Sequence, residues 1–376
     1  MSKAVEVRKI IQSQKLQGNT KMDVSNSSDG RHGDDEVLVG VDDGSSAFKV
    51  VYGDSNGNEV KLLVSAVVSG GALETDSAGR SVGVLFTDGE AFTVGPPVAS
   101  VAAFNTANDG FHTSQAHRLL LANALSQVGV PVSKMAVGLG LPVGVAFDAA
   151  VKAQKTGNCA KDVYAGYEPR VLLERPFRLF HYAQSVGAYL SLLINPAGAE
   201  NPALTGLSVA VVDIGSYTTD TVVVRNPGAG QSLILVKSLT QSAPVGVSIA
   251  VDELQAILVA RFREAHKALT YERVAGALVT RTLKLFGKEH DVSSEVVAAL
   301  ETAFTRIKPS LTATIESAAS ADMVVPVGGG AVLFSEQLAR LFPQNLAVHD
   351  DPLFANALGY YRFLRFAEPA LATSRG

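Results

Sequence analysis

Cysteine, tryptophan and methionine are scarce in this chain. Its 376 residues include one cysteine, no tryptophan and four methionines. The single cysteine, Cys159, excludes an intramolecular disulfide and any metal site built from several thiolates. Such low cysteine usage fits a reducing compartment. Cys159 lies two positions before Lys161, and we interpret it as a spectator thiol rather than a reactive one.

The chain also lacks a long apolar run. Residues 182–199 carry no charge, but three polar residues and a proline interrupt them, namely Gln184, Ser185, Asn195 and Pro196. A membrane-spanning helix needs about 20 predominantly apolar residues. The N-terminal region has no long apolar core followed by a cleavage-like site. We therefore expect a cytoplasmic protein with no membrane segment and no export signal.

A large net charge is missing as well. Lys and Arg total 32 and Asp and Glu total 36, which gives a formal charge of −4, and 47% of the residues are hydrophobic. No strongly basic field exists, so we expect the monomer not to bind DNA directly. The apolar content is typical of a folded globular chain, and the length predicts two domains.

Residues 1–36 differ from the rest because they have little to bury. They carry six basic and six acidic residues, and residues 26–36 contain no large aliphatic side chain. We expect a flexible N-terminal extension. The alternative is a short helix over residues 3–16 that binds a partner or contacts a filament neighbour.

Strand-like and helix-like segments alternate from residue 37 onward, which predicts α/β architecture. The first three strands are expected to form an antiparallel meander, with Asn56 and Gly57 in the second turn. A loop over residues 195–206 separates two apolar segments, and we place a domain boundary there. Helices are predicted over residues 112–127, 181–193, 247–268 and 294–319, the last interrupted by Pro309.

Two segments about half a chain apart follow one plan. VGVDDGSSAFKVVYG (39–53) and AVVDIGSYTTDTVVV (210–224) each contain an apolar strand, Asp, one residue, Gly, Ser and a second strand. One such turn alone is typical of an Asp-capped β-turn. Two turns of the same order, with three consecutive glycines at 328–330 between a strand and a helix, favour two related domains that share a nucleotide site.

A nucleotide site needs donors for phosphate oxygens and carboxylates for a hydrated cation. Asp42 and Asp213 are the candidates for Mg²⁺, which takes one or two carboxylates and keeps several waters. Gly44 and Gly215 allow the backbone to approach phosphates closely. Hydroxyl and ammonium donors are expected from Ser45, Ser46, Thr218, Thr219 and Lys49.

These segments resemble motifs of the actin superfamily. VDDGSSAFK resembles its first phosphate motif, VDIGSYTTD its second, and VGGGAVLF its adenosine motif. GLGLPV (138–143) and DDPLFANALGYYRFL (350–364) are similar to its two connecting segments, and all five occur in the family's order. The doubled Asp, the LPV strand, PVGVS at 244–248 and the FANALGY ending resemble the bacterial plasmid-segregation actins, the ParM/StbA group.

The resemblance implies an actin-like (ribonuclease H-like) fold with two domains and an interdomain nucleotide cleft. Domain I is expected at residues 37–200 plus 349–376, and domain II at residues 201–348. The resemblance further implies hydrolysis of ATP or GTP with Mg²⁺, coupled to head-to-tail filament assembly. It also implies a DNA-bound centromere adaptor protein that links filament ends to a plasmid.

The resemblance also assigns roles to residues. Asp42 and Asp213 match the aspartates that organise Mg²⁺ through water. Gln184, expected in the helix after the first connecting segment, matches the Gln or Glu that orients the attacking water. Nucleotide contacts are expected from Asp43, Gly44, Ser45, Ser46, Lys49, Gly215, Ser216, Thr218, Thr219, Gly246, Glu272, Gly328, Gly329 and Gly330.

Other interpretations stay open. Ser216 and Tyr217 stand where plasmid actins often have Gly-Thr, and residues 271–290, expected near the base and ribose, hold no sharp motif. The same fold serves non-polymerising small-molecule kinases, nucleotide sensors, and actins that set cell shape or position organelles. The Walker P-loop and dinucleotide patterns fail. His112 and His117 lie five apart, whereas a helical metal pair prefers four.

Overall fold

Helices and strands alternate along the chain, which confirms the predicted α/β fold. The computed structural model describes residues 36–72, 83–95, 104, 106, 110–165, 170–173, 177–228, 233–315 and 321–366. The predicted extension up to residue 35, and the last residues of the predicted helix 294–319, lie outside these ranges. Within them, no helix is long and apolar enough to cross a membrane.

The regular elements are numbered here in chain order. The strands are β1 (Val37–Asp43), β2 (Ala47–Gly53), β3 (Glu59–Ser65), β4 (Val68–Gly70), β5 (Val84–Thr87), β6 (Glu90–Val94), β7 (Met135–Leu141), β8 (Val163–Ala165), β9 (Arg170–Leu173), β10 (Arg178–Ala183), β11 (Ser208–Ile214), β12 (Thr219–Arg225), β13 (Ile234–Leu235), β14 (Gln241–Ala243), β15 (Thr282–Leu285), β16 (Lys288–Asp291) and β17 (Met323–Val327). The α-helices are α1 (Gln115–Ser126), α2 (Ala149–Cys159), α3 (Val186–Leu193), α4 (Ser248–Arg261), α5 (Tyr271–Thr280), α6 (Ser293–Ile315), α7 (Gly329–Leu333), α8 (Ser335–Leu341) and α9 (Ala355–Phe366).

The described residues form two compact units. Unit 1 comprises the described residues up to Ser208, the residues of Val224–Val236, and those from Phe354 onward. Unit 2 comprises Val209–Val223 and the described residues of Lys237–Leu353.

The main sheet of unit 1 has the strand order β10-β7-β1-β2-β3. β1 pairs in parallel with β7 and antiparallel with β2, and β2 pairs antiparallel with β3, as the meander predicted. Consecutive side chains of a strand point to opposite faces. Val50 of β2 packs in one core with residues of α1, whereas the neighbouring Val51 packs with residues of α9. The sheet is therefore covered by α1 on one face and by α9 on the other.

A second sheet of unit 1 is antiparallel, with the strand order β4-β6-β5-β8-β9. Its apolar residues, such as Leu85 and Phe92, pack in the same core as Leu119 to Leu121 of α1. One helix thus serves both sheets, which explains why almost all of α1 is buried rather than one stripe of it.

Unit 2 is built around the adjacent strands β12, β11 and β17, with β14 also paired to β12 and with β11 parallel to β17. α4 packs on both α5 and α6. The segment 271–290, which held no sharp motif, folds as α5 followed by the β15–β16 hairpin.

Three element predictions differ from the structure. Residues 181–183 are the end of β10, so α3 begins only at Val186. The predicted helix 247–268 ends at Arg261 and continues as a 3-10 turn over Arg263–Ala268. Pro309 does not interrupt α6. A proline removes the hydrogen bond to the carbonyl four residues earlier; that carbonyl belongs to the exposed Thr305, where water can replace the lost donor.

Three glycines allow α9 to lie directly on β1 and α3. A Cβ atom on Gly40 would collide with the backbone of Ala357 and Tyr361. A Cβ on Gly187 of α3 would collide with Tyr360, and one on Gly359 of α9 would overlap the Gly187 carbonyl. No side chain can be added at these crossings without separating the elements. The close approach brings α9 within hydrogen-bonding distance of the chain that leads into α3.

Gly359→Ala is expected to lower the free energy of unfolding by about 1–3 kcal/mol, because the added methyl forces two backbones apart. Gly157→Ala in α2 is the matched control. A Cβ there meets nothing within 4 Å, and alanine favours a helix over glycine by about 1 kcal/mol. Urea unfolding followed by circular dichroism measures both. Equal shifts of the two variants would contradict the tight crossing.

Candidate functional site

The first Asp-Gly turn lies in unit 1, between β1 and β2. Asp42 and Lys49 are direct partners in the antiparallel register, so their side chains share one face of the hairpin. Lys49 Nζ lies 3.2 Å from Asp42 Oδ2. A Cβ atom on Gly44 would lie 2.9 Å from the same Nζ. The structure therefore brings three predicted site residues together around one ammonium group.

Hydrogen bonds from other parts of unit 1 fix the backbone of this turn. The carbonyl of Ser45 accepts a hydrogen bond from Thr106 Oγ1 at 2.6 Å, and the carbonyl of Ser46 accepts one from the Ala66 N–H at 3.1 Å. Both carbonyls are thus engaged with the rest of unit 1. The turn has a fixed conformation, which a phosphate-binding loop requires.

The neighbouring Asp43 faces the interior instead. Its carboxylate is fully buried, and its Oδ2 accepts from His117 Nε2 at 2.6 Å and from the ammonium of Lys155. Lys155 Nζ also donates to the Gly140 carbonyl at 2.5 Å, and His112 Nδ1 lies 3.4 Å from the same Oδ2. In this structure the Asp43 carboxylate makes interior contacts, so its expected nucleotide contact stays a prediction.

The charges of this cluster are set by burial and by one ion pair. Burial acts to raise the pKa of the Asp43 carboxyl, but Lys155, His112 and His117 together hold that pKa well below its usual value. Burial lowers the pKa of His117 to about 4. At neutral pH the cluster therefore contains an aspartate anion, a lysine cation and a neutral His117.

Asp43, His112 and His117 also come close enough to one another to resemble a metal-ligand set. However, the Lys155 ammonium already contacts the Asp43 oxygen that a metal ion would use. The Lys155 ammonium therefore takes the position that a metal ion would need at Asp43 Oδ2.

The stability of the fold is expected to fall as the pH drops from about 6.5 to about 4. The pKa of His117 is near 6.5 in the unfolded chain but about 4 in the fold, so in this window only the unfolded chain binds the proton. In this window His117 lowers the free energy of unfolding by at most about 1.4 kcal/mol for each unit by which the pH falls. Asp43 acts in the same direction at lower pH, because its pKa is depressed in the fold.

His117→Gln should remove the His117 part of this pH dependence, since a glutamine amide can still donate to Asp43 but does not titrate. His266→Gln, at an exposed position of unit 2, is the control and should leave the pH dependence as in the wild type. Urea midpoints measured across the window give the slopes. If the urea midpoint changed with pH to the same extent in the wild type and in both variants, a buried neutral His117 would be ruled out.

Gln184 lies in the turn between β10 and α3, which corrects its expected place inside a helix. Its N–H donates to the Leu141 carbonyl at 2.8 Å, and its carbonyl accepts from the Val186 N–H at 2.7 Å. The next residue, Ser185, has a φ of +63°. Gln184 is therefore held on a fixed backbone at the end of the strand, as water-orienting residues need to be.

α9 stabilises this turn through one side chain that the sequence did not single out. Asn356 Oδ1 accepts from the Ser185 N–H at 2.9 Å and from the Ala188 N–H at 3.0 Å. These are two of the N–H groups that a helix start leaves unpaired. The FANALGY segment thus caps α3 and fixes the unusual backbone after Gln184.

The second Asp-Gly turn lies in unit 2, between β11 and β12. The Gly215 N–H donates to the Thr218 carbonyl at 2.9 Å, which closes the turn. The carbonyl of Gly215 accepts from the Val247 N–H at 3.0 Å, and a Cβ atom on Gly246 would lie 2.7 Å from that same oxygen. Glycine is required at 246 because the start of α4 rests directly on the turn.

The hydroxyl donors of this turn are already used by the fold. Thr218 Oγ1 donates to Asp220 Oδ2 at 3.1 Å, and Thr219 Oγ1 donates to the Val245 carbonyl at 2.7 Å. A phosphate contact from either threonine would require its hydroxyl to turn away from these acceptors. The phosphate contacts of both residues stay predictions. Ser216 contributes its carbonyl to the Ser248 N–H at 2.8 Å.

The triple glycine packs on the same turn. β17 runs parallel to β11 with Val327 opposite Asp213, so Gly328 follows directly beside Asp213. A Cβ on Gly328 would lie 2.5 Å from Asp213 Oδ1, and one on Gly330 would collide with the Ile214 side chain. At Gly329 a Cβ would meet nothing within 4 Å. The glycines thus let the start of α7 pack closely on the second turn, with Gly328 next to the Asp213 carboxylate.

Tyr217 links this turn to α5. It hydrogen-bonds Tyr271, and burial raises the pKa of Tyr271, with the Tyr217 contact and nearby carboxylates acting in the same direction. Glu272 is the next residue of α5 and is exposed. The bulky Tyr217, which departs from the plasmid-actin pattern, therefore anchors α5 beside the second turn.

Some residues of the candidate site could not be found from the sequence. His117, Lys155 and Asn356 each meet a partner at least 70 positions away. A lysine within a helix normally signals a solvated face, so only the fold shows that Lys155 is buried. Cys159 is buried, and burial raises the pKa of its thiol to about 12, which agrees with a spectator role.

The sheets and turns of the two units define an actin-like protein. Residues 211–340 match the family described as archaeal actin homologue MreB-like, C-terminal. The structure is similar to that of a 15-stranded ParM filament from Clostridium botulinum, with 18% sequence identity and a TM-score of 0.70, over 88% of this chain and 99% of that one.

Two nucleotide complexes are also similar. The archaeal actin homolog Ta0583 in complex with ADP has 26% identity and a TM-score of 0.66, over 90% of this chain and 100% of that one. Bacillus thuringiensis ParM with ATP has 16% identity and a TM-score of 0.56, over 88% and 98%. A comparison with curated proteins finds no match. The predicted actin-like fold and the resemblance to ParM proteins are confirmed.

Proposed function

We propose that this chain is a nucleotide-dependent, filament-forming actin-like ATPase, with ATP or GTP as substrate and Mg²⁺ as the cation. The observation that carries the proposal is the repeated turn. In unit 1, β1 lies between β2 and β7; in unit 2, β11 lies between β12 and β17. Each central strand carries an aspartate as its last residue but one, Asp42 or Asp213, and a glycine turn follows. Two such turns supply the two sets of groups that a magnesium–polyphosphate unit needs.

The residues present fit a nucleotide and Mg²⁺. Asp42 and Asp213 are the last residues but one of their strands, beside the two turns. Both offer carboxylate oxygens of the kind that Mg²⁺ accepts, directly or through water. Lys49 supplies a positive charge at the first turn. Gly44 and Gly328 sit where any side chain would fill the space beside Lys49 or Asp213. The adenosine contact is assigned to Gly328–Gly330, and Glu272 of α5 is proposed as a further nucleotide contact.

Hydrolysis is assigned to three side chains. When bound, Mg²⁺ supplies positive charge that stabilises the negative charge of the phosphates in the transition state. Asp42 and Asp213 hold that charge in place. Gln184 orients the attacking water by hydrogen bonding, because an amide is a poor general base. The proposal places the two turns on domains I (37–200 plus 349–376) and II (201–348), as predicted from the sequence.

Filament assembly and cargo complete the proposal. The Clostridium botulinum relative is described as a ParM filament, and the other relatives carry ADP or ATP. We propose that this chain assembles head to tail with copies of itself in the cytoplasm. A DNA-binding centromere adaptor would attach the filament to a plasmid, since the near-neutral charge gives the chain no DNA-binding field of its own.

Sedimentation and turnover test the proposal together. Purified protein is incubated over a concentration series with ATP, GTP or a non-hydrolysable analogue, with Mg²⁺ or EDTA. Pellets are examined by electron microscopy, and phosphate release is measured in parallel. We expect nucleotide- and Mg²⁺-dependent filaments and phosphate release. No pelleting and no release with any nucleotide would contradict the proposal. Phosphorylation of an added small molecule without polymer would favour the kinase alternative.

A further inference from the structure

Gln184, Tyr360 and Asp43 are the side chains nearest to the place that a Cβ on Gly140 would take, and those of Asp43 and Gln184 have unused hydrogen-bonding groups. Asp43 Oδ1 is fully buried and has no hydrogen-bond partner among the described residues, although Oδ2 contacts Lys155 and His117. The side-chain amide of Gln184 also has none within the part of the chain that the structure describes. A buried carboxylate oxygen without a donor is costly, so its retention calls for an explanation.

Gly140 brings these two groups together. A Cβ atom on Gly140 would lie 2.9 Å from Gln184 Cγ and 3.2 Å from Asp43 Oδ1. The Tyr360 hydroxyl oxygen would lie 2.9 Å from the same Cβ. The side chains of Gln184, Tyr360 and Asp43 therefore meet at one point, where glycine leaves room that a Cβ would fill. The Gln184 amide nitrogen is two bonds beyond Cγ, so rotation about the outer torsion angles of Gln184 can carry the amide toward the Asp43 oxygen.

Resting on the proposed function, we propose that Asp43 is a positioning residue for hydrolysis. Its unpaired Oδ1 accepts a hydrogen bond from the Nε2–H of Gln184, and this leaves Gln184 Oε1 to accept a hydrogen bond from the attacking water.

The chemistry of the two groups selects this orientation. A glutamine amide has a donor end and an acceptor end of almost the same shape. Without a fixed orientation it can therefore present either its NH₂ group or its oxygen to the water. An ionised carboxylate only accepts, and Lys155 keeps Asp43 ionised by direct contact. The Asp43 oxygen therefore binds the NH₂ end of Gln184. A water that donates to Oε1 keeps a lone pair for the phosphorus atom.

This arrangement also explains why the cluster lies next to the first phosphate turn. Asp43 directly follows Asp42, so one backbone segment carries both the proposed Mg²⁺ group and the group that orients Gln184. Lys155 further ties Asp43 to the Gly140 carbonyl. These contacts fix the positions of the first turn, β7 and Gln184 relative to one another.

A double-mutant cycle tests the inference. Asp43→Asn/Lys155→Met removes both buried charges together. It also replaces the carboxylate, which only accepts hydrogen bonds, by an amide that can donate as well. We expect kcat for ATP hydrolysis to fall about 30-fold with KM changed less than about threefold, since electrostatic positioning groups contribute on this scale. In the Gln184→Ala background the same pair of substitutions should change kcat less than about twofold, because non-additivity reports direct coupling. Equal losses in both backgrounds would overturn the inference.

A second measurement does not depend on turnover or on the variant's folding. Wild-type protein labelled with [¹⁵N]glutamine gives side-chain NH₂ signals, and the one missing from Gln184→Ala identifies Gln184. We expect its hydrogen exchange to be at least about tenfold slower than that of exposed glutamine amides, since hydrogen-bonded protons are protected. Exchange at the exposed rate overturns the inference even if the protein hydrolyses ATP. A slow rate without any turnover would leave the contact standing and refute the proposed ATPase instead.

Discussion

Asp213→Ala is expected to lower the rate of nucleotide hydrolysis about 100-fold or more, the scale of losing one electrostatic group from a transition state. Asp213 is the last residue but one of β11, and the backbone of Gly328 lies against its carboxylate. The other carboxylate of this turn, Asp220, accepts from Thr218 and is buried.

The measurement separates loss of the metal group from loss of the fold. Nucleotide affinity of the wild type is expected to drop when EDTA replaces Mg²⁺, whereas the affinity of Asp213→Ala should be the same in both. Glu336→Ala, an exposed acidic residue at the start of α8, is the control and should hydrolyse at the wild-type rate. Undiminished turnover in Asp213→Ala would remove this residue from the site.

Lys155→Met is expected to lower the free energy of unfolding by about 3–5 kcal/mol, because it leaves the Asp43 anion buried without its cation. Lys155 has no solvent-accessible surface, and neither does Asp43. Water cannot replace the lost partner. Asp43→Asn/Lys155→Met should recover most of the stability, since two neutral groups of similar size then fill the same space.

Urea unfolding at several pH values measures this effect. The difference between wild type and Lys155→Met should shrink as the pH falls. Without Lys155 the folded pKa of Asp43 rises above its unfolded value, so protonation relieves the variant. Lys152→Met, one turn earlier on α2 and half-buried, is the control and should cost less than about 1 kcal/mol. A similar cost for both substitutions would contradict a buried ion pair.

Local sequence signals were sufficient for the strands and turns. The Asp-Gly turns, Asn56-Gly57 and the triple glycine all depend on backbone conformations that few residues adopt. Their positions could therefore be predicted from the sequence. Gly40 and Gly359 carry no such local signal. Their need for glycine comes from contacts with distant segments, since Gly40 meets Ala357 and Gly359 meets Gly187.

The same distinction applies to the candidate site. Asp42 and Asp213 belong to recognisable turns, but Asp43 looks like a second copy of Asp42 in the sequence. Successive side chains of a strand point to opposite faces, so Asp43 points inward, away from the face of Asp42. There its carboxylate meets His117. The sequence predicts Gln184 inside a helix because no residue in the apolar stretch around it marks where a strand ends and a helix begins. The positive φ of Ser185, stabilised by Asn356 from α9, marks a break that sequence periodicity does not show.

The buried thiol has a practical consequence for work on this protein. Cys159 is the chain's only cysteine, it is 1% exposed, and its thiolate is disfavoured by burial. Maleimide reagents attack thiolates at accessible positions. A single cysteine introduced on the surface of either unit can therefore be coupled to a fluorophore without first replacing the native one. Pairs of such positions would report nucleotide-driven changes by energy transfer in single molecules.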